Sequence, residues 1–346
     1  MYKNPKRTPD FQNLEAVLNK QVPKRPVLFE FILGDDIKKH LTDGLYRSDT
    51  DYNEAYWTMR AFYSAGYDFS PIVLRGMEFP RGELDEQHET KSINDGGLIS
   101  DWPSYRRYSW PDAKNANYAM LDQMAEALPE GMRLIPFSHD GILENTIGLV
   151  GYERLCLMLY DNPELLEKIF ASVGRRIRDY FVRCLAHEVV GAVLLNDDWG
   201  FKSQTMLPPD ALRKHVFPWY AEIAEEAHKR GKYVILHSCG NYEAIVDDIV
   251  HTMNIDAKQS YEDNIVPVEE AYENLQGKIA VIGGIDMDFL CRATPEEVYN
   301  RSKAMIERTK ERGGFALGSG NSVPDYVPIE NYHAMLDAAF DYDEEE

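Results

Sequence analysis

The chain has 346 residues, 44% of them hydrophobic, and its 37 basic against 58 acidic side chains give a net charge of -21. Such a balance argues against nucleic acid or an anionic membrane surface as a partner, and no apolar run is long enough to span a bilayer. The length exceeds what one core usually supports, unless alternating strands and helices close into a barrel.

Residues 1–25 are polar, carry a predicted helix at 11–19, and read as an N-terminal extension. They include Lys3, Lys6 and Arg7 but no apolar core, so no secretory signal is expected there. Four widely spaced cysteines, Cys156, Cys184, Cys239 and Cys291, fit a reducing, cytoplasmic setting and not a disulfide framework. A first strand is predicted over 27–33, ended by Gly34-Asp35-Asp36, and a helix over 52–65 with Gly66 as its stop. After a second strand at 69–74, residues 75–110 are rich in Gly, Asp, Glu and Pro. So long an insertion in a compact domain points to function. A helix is expected over 113–128 and a third strand over 133–137.

Beyond this point the alternation is regular. Helices at 152–160 and 163–185 precede a strand at 189–195, a helix at 209–229 and a strand at 234–237. A helix at 242–253, a strand at 255–259, a helix at 268–275 and a strand at 279–282 follow. A helix at 295–312, a last strand at 315–317 and a helix at 329–340 complete the pattern, and 341–346 is an acidic tail expected to be solvated. Eight short strands, apolar on both faces, imply a single (β/α)8 barrel over 26–340. No G-x-G-x-x-G follows the first strand, which weakens a dinucleotide-binding alternative.

In such a barrel the C-terminal strand ends share one mouth. The polar groups at those ends are Glu30, Arg75, His139, Asp197 with Asp198, His237 with Cys239, Glu262 with Asp263, Asp286, and Ser319 with Asn321. The sharpest of them is Leu236-His237-Ser238-Cys239-Gly240-Asn241. Residues two apart on a strand point to one side, so an imidazole and a thiol converge there. That is part of a zinc site, or else a capped strand end with a buried Cys. In Asn196-Asp197-Asp198-Trp199-Gly200, one carboxylate is expected to face the pocket, binding substrate or serving as acid or base, and the other to hold the loop. Trp199 is either a pocket wall or core, and His139 and Glu144 carry little weight as metal ligands.

These residues resemble the uroporphyrinogen decarboxylase superfamily, in its corrinoid-dependent methyltransferase branch. The resemblance runs from Gly151-Tyr152-Glu153 and Asp161-Asn162-Pro163-Glu164-Leu165 through the two stretches just quoted. It continues along Gly313-Gly314-Phe315-Ala316-Leu317-Gly318-Ser319-Gly320 to Val327-Pro328-Ile329-Glu330-Asn331. It implies a barrel with its pocket at the strand ends. The decarboxylases of the family grip a tetrapyrrole with arginines after the first strand, where this chain has Phe31-Ile32-Leu33-Gly34-Asp35-Asp36. The methyltransferases hold zinc with H-x-C and a later Cys, and exchange a methyl group with a corrinoid on a separate protein. His237 and Cys239 match the first two ligands. Gly320-Asn321 stands where the thiol-activating members have G-C, so Glu262, or more weakly Asn321, is the expected replacement.

With fewer thiolates the metal is a harder Lewis acid, suited to an ether or amine donor. The resemblance therefore implies an O-demethylase-type enzyme that moves a methyl group from a small donor, such as a methoxylated aromatic, to the Co(I) of a partner corrinoid protein. Asp197 and Asp198 are its candidate catalytic groups, and Glu30, Arg75, His139 and Trp199 its candidate substrate contacts. A decarboxylase-like enzyme acting without metal on a tetrapyrrole is the alternative, and a non-catalytic binder a third reading.

Overall fold

The computed structural model describes residues 7–44, 49–81 and 97–345. Its centre is a parallel sheet of seven strands in sequence order. They are β1 (Phe69–Val73), β2 (Arg133–Phe137), β3 (Ala192–Asn196), β4 (Tyr233–His237), β5 (Ala257–Gln259), β6 (Ala280–Ile282) and β7 (Phe315–Ala316). Nearly every residue in them is buried on both faces, as the unbroken apolar runs predict. Helices connect successive strands, and the sheet curls as in TIM-barrel folds.

The strand expected at 27–33 is present as two isolated parallel bridges, Leu28 with Leu317 and Leu33 with Val323. The Phe29 amide donates to the Leu317 carbonyl at 2.8 Å, and the Leu317 amide to that of Val27 at 2.7 Å. On the far side the Phe29 ring stacks on Phe69 of β1 at 4.8 Å. The segment thus lies between the first and last strands of the sheet.

The extension is part of the fold. Helix Phe11–Leu18 buries Phe11, Leu14, Val17 and Leu18, and the Phe11 amide donates to the Gly131 carbonyl just before β2. Gly191, before β3, has no room for a side chain because the Phe11 ring fills it. The helix therefore floors the sheet at its N-terminal edge. Arg25 and the buried Asp68 form an ion pair beside it.

Several expected helices are divided. The 113–128 prediction becomes a single turn, Ala113–Asn115, and helix Ala119–Ala127, because the Asn117 amide turns away to the Arg75 carbonyl. The 209–229 prediction breaks at Val216, ahead of Pro218, into Pro209–His215 and Phe217–His228. The helix expected over 242–253 is present as one continuous helical run over 243–252, opening as a 3-10 turn, Glu243–Ile245, and closing as a π-helical stretch, Asp248–Thr252. Helices Asp35–Leu41 and Ile142–Val150 are additional to the prediction. Of the 75–110 insertion the flanks are described, including helix Trp102–Arg107, and residues 82–96 lie outside the described residues. The last helix, Ile329–Glu345, runs on through the acidic stretch expected as a separate tail.

Candidate metal centre

Register brings the site together. Asn196 pairs with His237, and His237 with Gln259, so the ends of β3, β4 and β5 lie level. The chains leaving β3 and β4 then pack backbone against backbone. Gly240 has a φ of +84°, and a side chain there would overlap the Gly200 carbonyl, while one on Gly200 would strike Asn241. Glycine at both positions lets the loops touch. The Cys239 amide donates to Asp198 Oδ1 at 2.8 Å, and the Trp199 amide to Ser238 Oγ at 3.2 Å.

Asp198, His237 and Cys239 each present one donor atom within 4.8 Å of the others. Cys239 Sγ lies 3.6 Å from His237 Nε2. A tetrahedral zinc ion, with bonds of about 2.3 Å to sulfur and about 2.05 Å to nitrogen, needs that edge to be about 3.6 Å. The imidazole is aimed for this role. His237 Nδ1 donates to Gln259 Oε1 at 2.5 Å. The Gln259 amide is oriented by donating its own Nε2–H to the Asn321 carbonyl at 2.6 Å. With Nδ1 carrying the proton, the Nε2 lone pair faces the sulfur. Burial lowers the His237 pKa, which keeps the ring neutral. Cys239 Sγ also accepts from Asn321 Nδ2 at 3.2 Å and Ser260 Oγ at 3.4 Å. Burial, helped by nearby Asp198, pushes the thiol up to about 12, so a cation is what would convert it to the thiolate. One imidazole, one sulfur and one carboxylate, with a position left over, is the donor set of an open zinc site, and the residues fit the ion.

Two aromatic rings border the centre. Phe31 lies 4.7 Å from the His237 ring and meets Phe137 edge-on at 5.0 Å. Nearby, Lys258 of β5 is fully buried. Glu144, half-buried at the start of helix Ile142–Val150, donates its amide to Asp197 Oδ1 at 3.0 Å.

The predicted residues separate into two groups. His237 and Cys239 converge as expected. Asp198 joins them as the third donor, the place expected of Glu262. Glu262 instead lines a small neighbouring groove with Gly240, Tyr242 and Ser260. Asn321 touches the sulfur through its amide N–H, as a hydrogen-bond donor and not as a ligand.

Asp197 is the loop-holding carboxylate. It is fully buried and accepts from the amides of Ile142, Leu143 and Glu144 and from the Tyr220 hydroxyl, at 2.9–3.0 Å. Trp199 is core, 1% exposed and packed on Phe217 and Tyr220. Glu30 is sealed at 0% exposure, accepting from Ser319 N and Oγ at 2.6 and 2.7 Å. It links the first segment to the last strand and has no open face for a substrate. Arg75 points outward to Asp51 and Glu54. His139 pairs with Glu78 at 3.3 Å in a groove shared with Met77, Asp140 and Asn145. The sequence reading missed Lys258, Gln259 and Ser260, although a Lys and a Gln inside a fully buried strand were a legible signal. It also missed Phe31 as a neighbour of the imidazole.

The family model described as uroporphyrinogen decarboxylase matches residues 115–342. A uroporphyrinogen decarboxylase from Alkalilimnicola ehrlichii is 25% identical over 194 residues, covering 54% of this chain and 50% of that protein. A methylated-thiol–coenzyme M methyltransferase from Methanosarcina mazei is 27% identical over 137 residues, covering 39% of this chain and 34% of that protein. The chain thus spans half or less of the length of these curated relatives. Among solved structures, a methyltransferase from Methanosarcina mazei superposes with a TM-score of 0.71 at 14% identity, over 95% of this chain and 98% of the other. At that identity the likeness is one of fold.

Proposed function

The chain belongs to the uroporphyrinogen decarboxylase family, and from that premise we propose that it is a methyltransferase. It takes a methyl group from a small methylated donor, a methoxylated aromatic compound by preference, and passes it to the Co(I) corrinoid of a separate partner protein in the cytoplasm. In this reading Val27 to Leu33 is the eighth stave of a (β/α)8 barrel whose mouth receives both molecules. The single observation that carries the proposal is the 3.6 Å approach of Cys239 Sγ to His237 Nε2 with Asp198 beside them. A tetrapyrrole decarboxylase would have no use for a soft-metal donor set, and this chain has an acidic turn where arginines would grip carboxylates.

His237, Cys239 and Asp198 would hold the metal. A bound zinc ion supplies a Lewis acid for the donor's heteroatom. Gln259 orients the imidazole, and Asn321 and Ser260 donate hydrogen bonds to the sulfur. Phe31 and Phe137 give the pocket an aromatic wall suited to an aryl ring. When the methyl–oxygen bond breaks, its electron pair stays on oxygen, and that oxygen needs a proton. Glu144, whose Oε2 accepts from the Gly141 amide at 3.2 Å, is our candidate to hold one at neutral pH. Burial, with Asp197 and Asp198 nearby, pushes its carboxyl up to about 9. This replaces Asp197, which is committed to the helix, as the acid.

Two measurements test the reading. Purified protein is expected to contain about one zinc per chain, and His237→Ala to contain none. Mixed with reduced cobalamin and a panel of methoxyarenes, methylamines and methanol, the protein should generate methyl-cobalt absorbance with the arenes. Equal metal content in both proteins, or no methylated cobalamin with any donor, overturns it.

A further inference from the structure

Lys258 occupies a position that burial alone disfavours. It is 0% exposed in the middle of β5, and among the described residues no carboxylate lies within ion-pair distance of it. Its ammonium is caged instead. Nζ donates to the carbonyls of Ser260 at 2.8 Å, Ser238 at 3.1 Å and Gln259 at 3.4 Å. The rings of Tyr242 and Tyr261 lie 4.4 and 4.6 Å away, within cation–π range. A buried cation with no anion in contact is costly, so a strand that keeps one requires a reason in its surroundings.

The two closest carbonyls supply it. Ser238 sits between His237 and Cys239, so tethering its carbonyl fixes the peptide that leads into Cys239. Ser260 has a φ of +85°, a left-handed conformation unusual for serine. Its carbonyl points at Lys258 while its hydroxyl donates to Cys239 Sγ at 3.4 Å. One ammonium therefore governs the turns after β4 and β5 together.

We propose that Lys258 is a positioning residue of the metal centre: its buried ammonium gathers the Ser238 and Ser260 carbonyls, setting Cys239 and its hydrogen-bond donor at ligating separation.

The inference rests on the metal reading, and cobalt(II) separates the two. Cobalt(II) replaces zinc in tetrahedral sites, and its thiolate charge-transfer band reports sulfur ligation. Wild type is expected to show that band. Lys258→Met, checked for fold by circular dichroism, is expected to bind cobalt(II) at least about tenfold more weakly, with the band diminished. Tyr242→Leu keeps the lysine but removes one wall of its cage, and should weaken binding severalfold. It decides the matter if Lys258→Met does not fold. A wild-type band together with unchanged affinity and spectrum in the deciding variant overturns the role of Lys258 alone. No band in folded wild type overturns the metal reading and this inference together.

Discussion

Gln259 joins two strand ends through one amide, accepting from the imidazole with its oxygen and donating to the Asn321 carbonyl with its nitrogen. That arrangement sets the tautomer of His237, a neighbouring-group effect worth about 10–100-fold in metal affinity elsewhere. Gln259→Leu is therefore expected to lower zinc affinity by about tenfold or more without altering the fold, measured by competition against a chromophoric chelator. Unchanged affinity would mean that the ring is held by Phe31 packing alone. Cys239 offers a companion measurement. In the wild type, zinc should slow alkylation of this thiol, whereas in His237→Ala it should give little protection.

The elements around the site were legible to different depths. Strands β1 to β7 followed from apolar runs punctuated by turn residues, and the convergence of His237 and Cys239 followed from strand period alone. Helix Ile142–Val150 was not legible, because its cap is not local: Asp197, far along the chain, accepts from three of its first amides. Nor could spacing choose between Asp198 and Glu262, since that depends on how two turns tilt above Lys258. The strand expected at 27–33 was legible as apolar sequence but pairs through isolated bridges only.

The remote cap carries a prediction at this scale. Asp197→Ala leaves several buried amides and the Tyr220 hydroxyl without their acceptor, and should destabilise the protein by about 3 kcal/mol or more. Urea denaturation with an unchanged m-value would report it. A loss below about 0.5 kcal/mol, the range of an ordinary surface substitution, would show that the helix is held by packing.

For the whole molecule, Glu30 couples closure of the sheet to pH. Burial raises its carboxyl from 4.5 to about 8, against the hydrogen bonds from Ser319. Between those values the folded protein holds a proton that the unfolded chain releases. Its contribution is full below pH 4.5 and is lost as pH rises through about 8. Other raised carboxyls, such as Glu144, act in the same direction, so the comparison that isolates Glu30 is with Glu30→Gln. The difference in stability between the two proteins should move in favour of the glutamine variant as pH rises from 5 to 8. A difference independent of pH would show that Glu30 is ionised in the fold.

The helix Phe11–Leu18 beneath the sheet has a kinetic corollary. With the sheet floored below, the methyl donor and the corrinoid protein of the proposed reaction would both arrive at the strand ends. The donor would then lie under the larger protein, and its demethylated product would leave only after that protein had gone. Turnover would then obey a queue, with the small molecule first in and last out.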